Sequence, residues 1–376
     1  MSGESVDLSL CGDVMLGRGV DQILPYPGSP ELREGFTRHA GDYVRLVEAR
    51  SGPVPVPAGF SWPWGDALRA LETFRPDVRV LNLETSVTSS RTFAPGKGIH
   101  YRMAPANLPC LSAARPDVCV LANNHVMDFG VPGLEETLDV LAGAGLRTAG
   151  AGRDLEGARR PAVVPLAGPG PARRVLTFAM GTPSSGVPGS WAATESRPGV
   201  DLLPVLSESS AAELSSRVRE SRRPGDVVVV SVHWGSNWGY AVPPEQTRFA
   251  HALIDGGGAD VVFGHSSHHP RPVEIYRGKL VLYGCGDFID DYEGITGYEE
   301  YRDELRLLYL ATVDTATGRL ARLRAVPFTS RRMRLHRAAA ADAAWLRAVL
   351  DEISRDFGVR AAVGDDAVLI LEAARR

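Results

Sequence analysis

Lysine is almost absent from this chain of 376 residues. Among its 41 Lys and Arg residues, only Lys97 and Lys279 are lysine. Against 45 Asp and Glu residues the net charge is −4, so the protein lacks the overall positive field that attracts nucleic acid or an anionic membrane surface. With 40 Gly and 27 Pro in the same chain, the shortage of lysine indicates biased codon composition rather than a function. We therefore expect no nucleic-acid partner.

Closely spaced cysteines and long apolar runs are also absent. The four cysteines form no CxxC pair and no disulfide framework, and this pattern is compatible with a reducing compartment. No window approaches 18 consecutive apolar residues, which excludes a membrane-spanning helix. Residues 1–8 contain Glu4 and Asp7 and do not combine a basic segment with a long apolar run, so they are not a secretory signal as written. The sequence thus predicts a cytoplasmic protein without a membrane segment.

Short β-branched runs that end in polar residues are the most informative pattern present. Near-continuous apolar runs of this kind are typical of strands buried on both faces by helices. Helical patterns at 64–74, 133–144 and 244–255 accompany them, which predicts an α/β fold. A hairpin (305–313 and 319–326), a helix (339–357) and a short strand (367–371) are predicted to follow. The five runs that end in polar residues are 6–10, 78–81, 118–121, 227–232 and 261–263.

The polar residues after these runs predict one shared site. Ligands of α/β sheets bind beyond the carboxyl ends of the strands, where these side chains would meet. Imidazole, carboxylate and amide donors together suit Mn, Fe, Zn or Co, and more donors than one ion needs point to two metals bridged by a carboxylate. The predicted donor-bearing residues are Asp13, Glu84, Asn124, His125, His233, His265 and His268.

Several short motifs, in this order, resemble the bacterial capsule synthesis CapA family, also called the poly-γ-glutamate biosynthesis protein family, of the calcineurin-like metallophosphoesterase superfamily. The resemblance implies a four-layer α-β-β-α sandwich over 5–335, with a small C-terminal α/β appendage of helix and strand over 336–376. The motifs are 12–18 (GDVMLGR), 82–84 (NLE), 122–125 (ANNH), 233–235 (HWG), 264–268 (GHSSH), 272–276 (PVEIY) and 284–288 (GCGDF).

The resemblance also implies roles for these residues. Two divalent ions would share Glu84 as the bridging acid, and His125 would be the proton donor or transition-state contact. Met15 departs from the superfamily, which usually has a histidine there, and a thioether is a poor ligand for such ions. Metal one would take Asp13 and His268, and metal two would take Asn124, His233 and His265.

Three neighbouring residues leave alternatives open. Arg18 suits bidentate recognition of phosphate or carboxylate, which makes it a candidate catalytic residue, but it could equally be a surface arginine. Asp128 could orient His125 or cap the helix that starts near residue 132, and capping is the favoured interpretation. Asp287 could hold a ligand histidine by its free N–H or cap a turn.

The functional expectation is a metal-dependent hydrolase acting through a metal-bound hydroxide. Its electrophile would be a phosphoester or a γ-glutamyl amide of an anionic small molecule or polymer related to poly-γ-glutamate. The alternative is a non-catalytic assembly or binding factor for anionic capsule polymer, which could have capsule-synthesis partners. Met15 favours the alternative, and the near-complete second metal set favours the enzyme.

Overall fold

Two β-sheets lie face to face and carry helices on their outer faces. The computed structural model describes residues 5–167 and 173–374. Positions 168–172 and 375–376, which fall within the predicted ranges 5–335 and 336–376, lie outside the described residues. Within the described ranges the chain forms twenty strands and nine α-helices.

The strands are β1 (Ser5–Val14), β2 (Val78–Leu83), β3 (Ser86–Val87), β4 (Arg102–Met103), β5 (Val118–Val120), β6 (Arg147–Ala149), β7 (Ala151–Gly152), β8 (Ala162–Leu166), β9 (Arg173–Gly181), β10 (Gly199–Val200), β11 (Val227–His233), β12 (Val261–His265), β13 (Val273–Tyr276), β14 (Lys279–Leu282), β15 (Asp287–Ile289), β16 (Leu305–Asp314), β17 (Leu320–Ser330), β18 (Leu335–Arg337), β19 (Val359–Val363) and β20 (Leu369–Ala373). The helices are α1 (Arg18–Ile23), α2 (Gly41–Ser51), α3 (Asp66–Phe74), α4 (Leu108–Ser112), α5 (Gly130–Gly143), α6 (Leu155–Arg159), α7 (Glu208–Ser221), α8 (Pro244–Asp255) and α9 (Ala340–Ile353).

The larger sheet runs β19-β20-β17-β16-β1-β2-β5-β6, with β15 beside β1 and β18 beside β17. Strands β1, β2, β5 and β6 are parallel neighbours, so their carboxyl ends lie at one edge. The smaller sheet runs β13-β14-β12-β11-β9-β8, and β14, β12, β11 and β9 are parallel. The predicted site residues follow the parallel strands at the centre of both sheets.

Side-chain alternation along β11 shows why its apolar run is continuous. Val227 and Val229 belong to the core between the sheets, whereas Val228 and Val230 pack with residues of α7 and α8. Helices α3, α4 and α5 contribute buried residues to the core of the larger sheet. The order helix, sheet, sheet, helix confirms the predicted four-layer α/β sandwich.

Not every strand was evident from the sequence. Strand β9 ends at Gly181, and neither this residue nor the following Thr182 has a carboxylate, amide or imidazole side chain, so β9 lacks the pattern that marks β1, β2, β5, β11 and β12. The C-terminal segment forms the predicted helix and last strand, but it also contains β19, which pairs with β20. Because β20 pairs with β17, this segment extends the larger sheet. The domain boundary at residue 335 stays a prediction.

Among the described residues, no helix combines the length and apolar character needed to cross a bilayer. The cytoplasmic location stays a prediction.

Candidate metal centre and pocket

The predicted donor residues converge where the parallel strands of both sheets end. Asp13 lies near the end of β1, Glu84 directly follows β2, and Asn124 lies in the loop after β5. His233 and His265 are the last residues of β11 and β12 and are paired in register. The larger sheet therefore supplies oxygen donors, and the smaller sheet supplies imidazoles.

Asp13, His233 and His265 form a buried group whose candidate ligand atoms all lie within 4.8 Å of one another. His265 Nδ1 lies 3.7 Å from Asp13 Oδ1 and 2.7 Å from His233 Nδ1. Two further predicted donors adjoin the group, because His233 Nε2 lies 3.0 Å from Asn124 Oδ1 and 3.8 Å from Glu84 Oε1. Five of the six predicted metal ligands are thus brought together.

Asn82 links the two carboxylates of the group. Its Nδ2 donates to Asp13 Oδ1 at 2.7 Å and to Glu84 Oε2 at 3.2 Å. Its Oδ1 in turn accepts a hydrogen bond from Asn123 Nδ2 at 3.0 Å, so the ends of three adjacent strands are cross-linked. Asn82 belongs to one of the polar bursts in the sequence, but no role was predicted for it.

Burial and mutual repulsion oppose the charged forms of these carboxylates. Burial, together with the nearby Asp287, raises the pKa of Asp13 to about 7. Burial and the charge of Asp13 raise the pKa of Glu84 well above its ordinary value. Two ionised carboxylates this close are costly in a buried site, and a cation between them would offset the cost.

The donor chemistry fits a divalent ion of the Mn, Fe, Zn or Co type. Burial lowers the pKa of His233 well below its ordinary value and that of His265 to about 3, so both imidazoles are neutral. Neutral imidazole is the form that ligates metals, and it combines here with carboxylate and amide oxygens. The residues that could hold an ion are Asp13, Glu84, Asn124, His233 and His265.

His268 reaches the same pocket but stands apart from this group. Its Nδ1 lies 3.1 Å from both carboxylate oxygens of Asp287, and its Nε2 lies 2.9 Å from Asn237 Nδ2. Burial lowers the pKa of His268, but the carboxylate of Asp287 outweighs burial, and the net pKa is raised. Asp287 therefore holds a histidine, as one of its two sequence interpretations proposed. Tyr292 donates a further hydrogen bond to Asp287.

His125 lies beside the donor group and is oriented by Asp128. Its Nδ1 lies 2.6 Å from Asp128 Oδ2, while its Nε2 lies 3.9 Å from Glu84 Oε1. The favoured interpretation of Asp128 as a helix cap is wrong, because α5 begins after Phe129 without a side-chain cap. Burial lowers the pKa of His125 to about 4, although Asp128 opposes the shift. The imidazole is therefore neutral at pH 7.

Arg18 lines the pocket, but its guanidinium is already engaged. It forms a bidentate ion pair with Asp291 and a 3.2 Å ion pair with Glu34. The rings of Tyr43 and Tyr101 lie 3.8 and 4.2 Å from the guanidinium carbon. The predicted catalytic role of Arg18 stays a prediction.

A pocket of about 580 Å³ adjoins the donor group, of which Glu84 and Asn124 line it. Its floor contains buried polar side chains, including Glu84 and His125, whereas Phe36, 71% exposed, lies at its rim. Met15 is buried and also lines the pocket. The remaining lining residues are Arg18, Tyr43, Lys97, Gly98, Ile99, Tyr101, Asn124, Asn237, Ser266, His268, Tyr292 and Ile295.

The chain is similar to one family profile and to several known proteins. Residues 7–292 match the family profile described as "Bacterial capsule synthesis protein PGA_cap". A "Probable polyglutamine synthesis accessory protein" of Mycobacterium tuberculosis is 53% identical over 97% of this chain and 95% of its own length. "PGA biosynthesis protein CapA" of Bacillus subtilis is 28% identical over 82% of this chain and 68% of its own length. A hypothetical protein from Thermus thermophilus, with a crystal structure, is 14% identical at a TM-score of 0.42, covering 86% of this chain and 99% of that one.

Proposed function

The chain belongs to the bacterial capsule synthesis protein family, and we propose that it is a metal-dependent hydrolase of the metallophosphoesterase type. The observation that best supports the proposal is the position of His125. Its Nε2 faces Glu84 at the floor of the pocket, directly beside the buried donor group. A neutral, oriented imidazole next to a set of metal donors can take part in hydrolysis as a general acid or base.

Lewis-acid activation of the scissile group is the chemistry that a divalent ion supplies when it is bound to such a set. The protein's own residues provide orientation. Asn82 holds Asp13 and Glu84 in place, and Asp128 accepts a hydrogen bond from the imidazole of His125, which leaves Nε2 free on the pocket side. Protonation of a leaving group by His125 needs the imidazolium form, which an anionic substrate beside it would favour.

The proposed substrate is an anionic phosphoester or γ-glutamyl compound related to poly-γ-glutamate. The names of the relatives refer to polyglutamine synthesis and to PGA biosynthesis, and this supports a γ-glutamyl compound. The proposed pair of ions rests on the resemblance, with His268 completing the first site. The gathered set of five candidate donors supports the binding of at least one ion.

The proposal is tested with His125→Ala. The metal-loaded protein is assayed with p-nitrophenyl phosphate, bis-p-nitrophenyl phosphate and γ-glutamyl-p-nitroanilide in the presence of Mn²⁺. We expect wild-type turnover of one of these substrates, and a loss of roughly 10²–10⁴-fold in kcat in the variant because its proton-transfer group is missing.

His251→Ala is the matched control. His251 lies on α8, pairs with Glu274 and does not line the pocket, so its removal should leave kcat unchanged. If the His125→Ala protein is folded and turns over substrate at the wild-type rate, the catalytic role of His125 is contradicted.

A non-catalytic assembly factor is the second candidate. The 53% identical relative carries the words "accessory protein" in its name, and Met15 occupies the pocket where a ligand histidine would be expected. Such a factor would use the pocket to hold an anionic polymer or an enzyme of capsule synthesis. The absence of turnover on every substrate, together with saturable binding of a γ-glutamyl oligomer, would favour it.

A further inference from the structure

Lys97 lines the pocket, as Arg18 does, and it is one of only two lysines in the chain. It lies in the loop between β3 and β4, and its side chain is 15% exposed. Its Nζ donates to the backbone oxygen of Asn124 and lies 2.6 Å from Asp128 Oδ1. His125 Nδ1 is 3.3 Å from the same nitrogen. A single ammonium group thus contacts three residues of the loop that carries Asn124 and His125.

The geometry around Lys97 suits an ammonium group better than a guanidinium. The contacted atoms converge on one nitrogen, and the Trp191 ring centre lies 5.1 Å away from it. The donors of an arginine diverge in a plane, and Arg18 on the same pocket uses that fork to span Asp291 and Glu34. In a chain whose basic residues are arginine apart from Lys97 and Lys279, Lys97 occupies a position where the contacted atoms converge on one nitrogen.

Two backbone contacts bring the Lys97 loop to this position. Ala94 N donates to the backbone oxygen of Asp128 at 2.8 Å, and Tyr101 N donates to its side-chain Oδ2 at 2.7 Å. Asp128 is therefore the common partner of the Lys97 loop and of His125. The charge of Lys97 also balances a carboxylate that is completely buried.

We propose that Lys97 is a positioning residue that clamps the Asn124–His125 peptide, and thereby sets the metal ligand and the proton-transfer group together. The ammonium fixes the Asn124 carbonyl, so the amide side chain stays at His233. It also fixes Asp128, so the imidazole of His125 keeps its direction. The inference rests on the proposed function in so far as Asn124 is a metal ligand and His125 is the proton-transfer group.

The test compares Lys97→Arg and Lys97→Met with the wild type by hydrogen–deuterium exchange and by Mn²⁺ calorimetry. In both variants we expect amide exchange over residues 122–130 to become roughly ten-fold faster, because the local structure opens more easily. We expect Mn²⁺ affinity to fall about 10–100-fold, as for partners that orient metal ligands. Arginine should not rescue either property.

Lys279→Arg is the matched control. Lys279 is also a mostly buried lysine, paired with Asp260 at the start of β14, away from the pocket. Its replacement should leave amide exchange at 122–130 and Mn²⁺ affinity within about two-fold of the wild type. The reason is that a residue orients only the ligands that it contacts, and Lys279 contacts Asp260 rather than a candidate metal ligand. Faster exchange throughout the molecule, rather than at 122–130, would show a purely structural role and overturn the inference.

The other outcomes are equally decisive. Wild-type exchange and affinity in Lys97→Arg would overturn the clamp. Faster local exchange with unchanged Mn²⁺ affinity would overturn its role in the metal site. If the wild-type protein binds no Mn²⁺, the proposed function fails, whereas the exchange of Asn124 and His125 still decides whether Lys97 holds this peptide.

Discussion

Two buried carboxylates set the electrostatics of the pocket. Asp13 and Glu84 share the Nδ2 group of Asn82, and each is destabilised by burial and by neighbouring negative charge. An isolated pair of this kind costs stability when both groups are ionised. A divalent ion held by these two groups would offset this cost, so the sign of their contribution to stability would depend on whether an ion is bound.

Asp13→Asn should therefore have opposite effects without and with metal. An acid with a folded-state pKa above its unfolded value destabilises the fold as the pH rises from the unfolded pKa through the folded one, here from 3.8 to about 7. At pH 8 in EDTA, we expect Asp13→Asn to exceed the wild type in free energy of unfolding by on the order of 1–3 kcal/mol, since the buried charge is gone. Urea unfolding measures the difference.

The pH series supplies the control for this variant. Near pH 4 the two proteins should have nearly equal stability, because Asp13 is protonated in the folded wild type. With excess Mn²⁺ the order should reverse, because the variant loses a ligand. A metal-free Asp13→Asn protein that is less stable than the wild type at pH 8 would contradict the electrostatic interpretation.

Arg18→Lys tests whether the guanidinium fork holds the pocket wall. The fork joins Asp291, Glu34 and the Tyr43 hydroxyl in a buried network that an ammonium cannot span. We expect the free energy of unfolding to fall by roughly 2–4 kcal/mol, because a buried carboxylate loses its partner.

Arg45→Lys, at an exposed ion pair with Asp42, is the control and should change stability little. An Arg18→Lys protein as stable as the wild type, but with weaker phosphate binding, would instead support the predicted role of Arg18 in contacting substrate.

At the scale of elements, the site depends on close approach between strand ends. Asp13 on β1 pairs in register with Asp287 on β15, and the preceding Gly12 lies against the backbone of Gly286. A Cβ atom at Gly12 would lie 1.8 Å from the Gly286 carbonyl oxygen. The contact brings Asp13, a proposed metal donor, beside Asp287, the partner of His268.

Gly12→Ala should separate these strand ends. Because the obstacle is backbone rather than a flexible side chain, we expect a loss of about 2 kcal/mol or more in the free energy of unfolding. Mn²⁺ affinity should fall as well, since Asp13 moves with the strand. Thermal unfolding and calorimetry measure the two effects.

Gly59→Ala is the matched control, because a Cβ there meets nothing within 4 Å. It should behave as the wild type in both measurements. Full stability of Gly12→Ala would mean that the two strand ends can separate without cost.

At the scale of the whole molecule, the donor set joins the two sheets. Asp13 lies near the end of β1, and Glu84 and Asn124 follow strands β2 and β5 of the larger sheet, whereas His233 and His265 end strands of the smaller one. Any ion held by this set would therefore connect the two halves of the sandwich. A ligand that binds only the folded state raises the free energy of unfolding, and the increase grows with the logarithm of the ligand concentration divided by Kd.

Metal removal should consequently lower the melting temperature of the whole protein. We expect elemental analysis to find at least one equivalent of Mn, Fe, Zn or Co per chain. For protein kept in metal at 100 times Kd, we expect EDTA to lower the free energy of unfolding by about 3 kcal/mol. His233→Ala should abolish both the bound metal and the EDTA effect. A protein that contains no transition metal before or after reconstitution would contradict the metal-dependent hydrolase.

The sequence by itself determined the α/β class and the set of candidate donors, whereas the four-layer sandwich was implied by the resemblance to the family. Apolar runs such as 227–232 identify strands buried on both faces, and the polar residues after them identify the candidate donors, because both patterns are local along the chain. The C-terminal strand β19 and the parallel strand β9 carried no comparable local signal. The same limit applied to Asp128, for which helix capping was the favoured local interpretation.

Only the tertiary structure decided what each of these side chains contacts. It engaged Arg18 with Asp291, paired His268 with Asp287 outside the compact donor group, and brought Lys97 onto the Asn124 carbonyl. These contacts join residues that are 19 to 273 positions apart, and distance along the chain carries no information about them. The geometry of the folded molecule determines which side-chain donors and acceptors pair with each other. The sequence pattern indicates only which groups are buried.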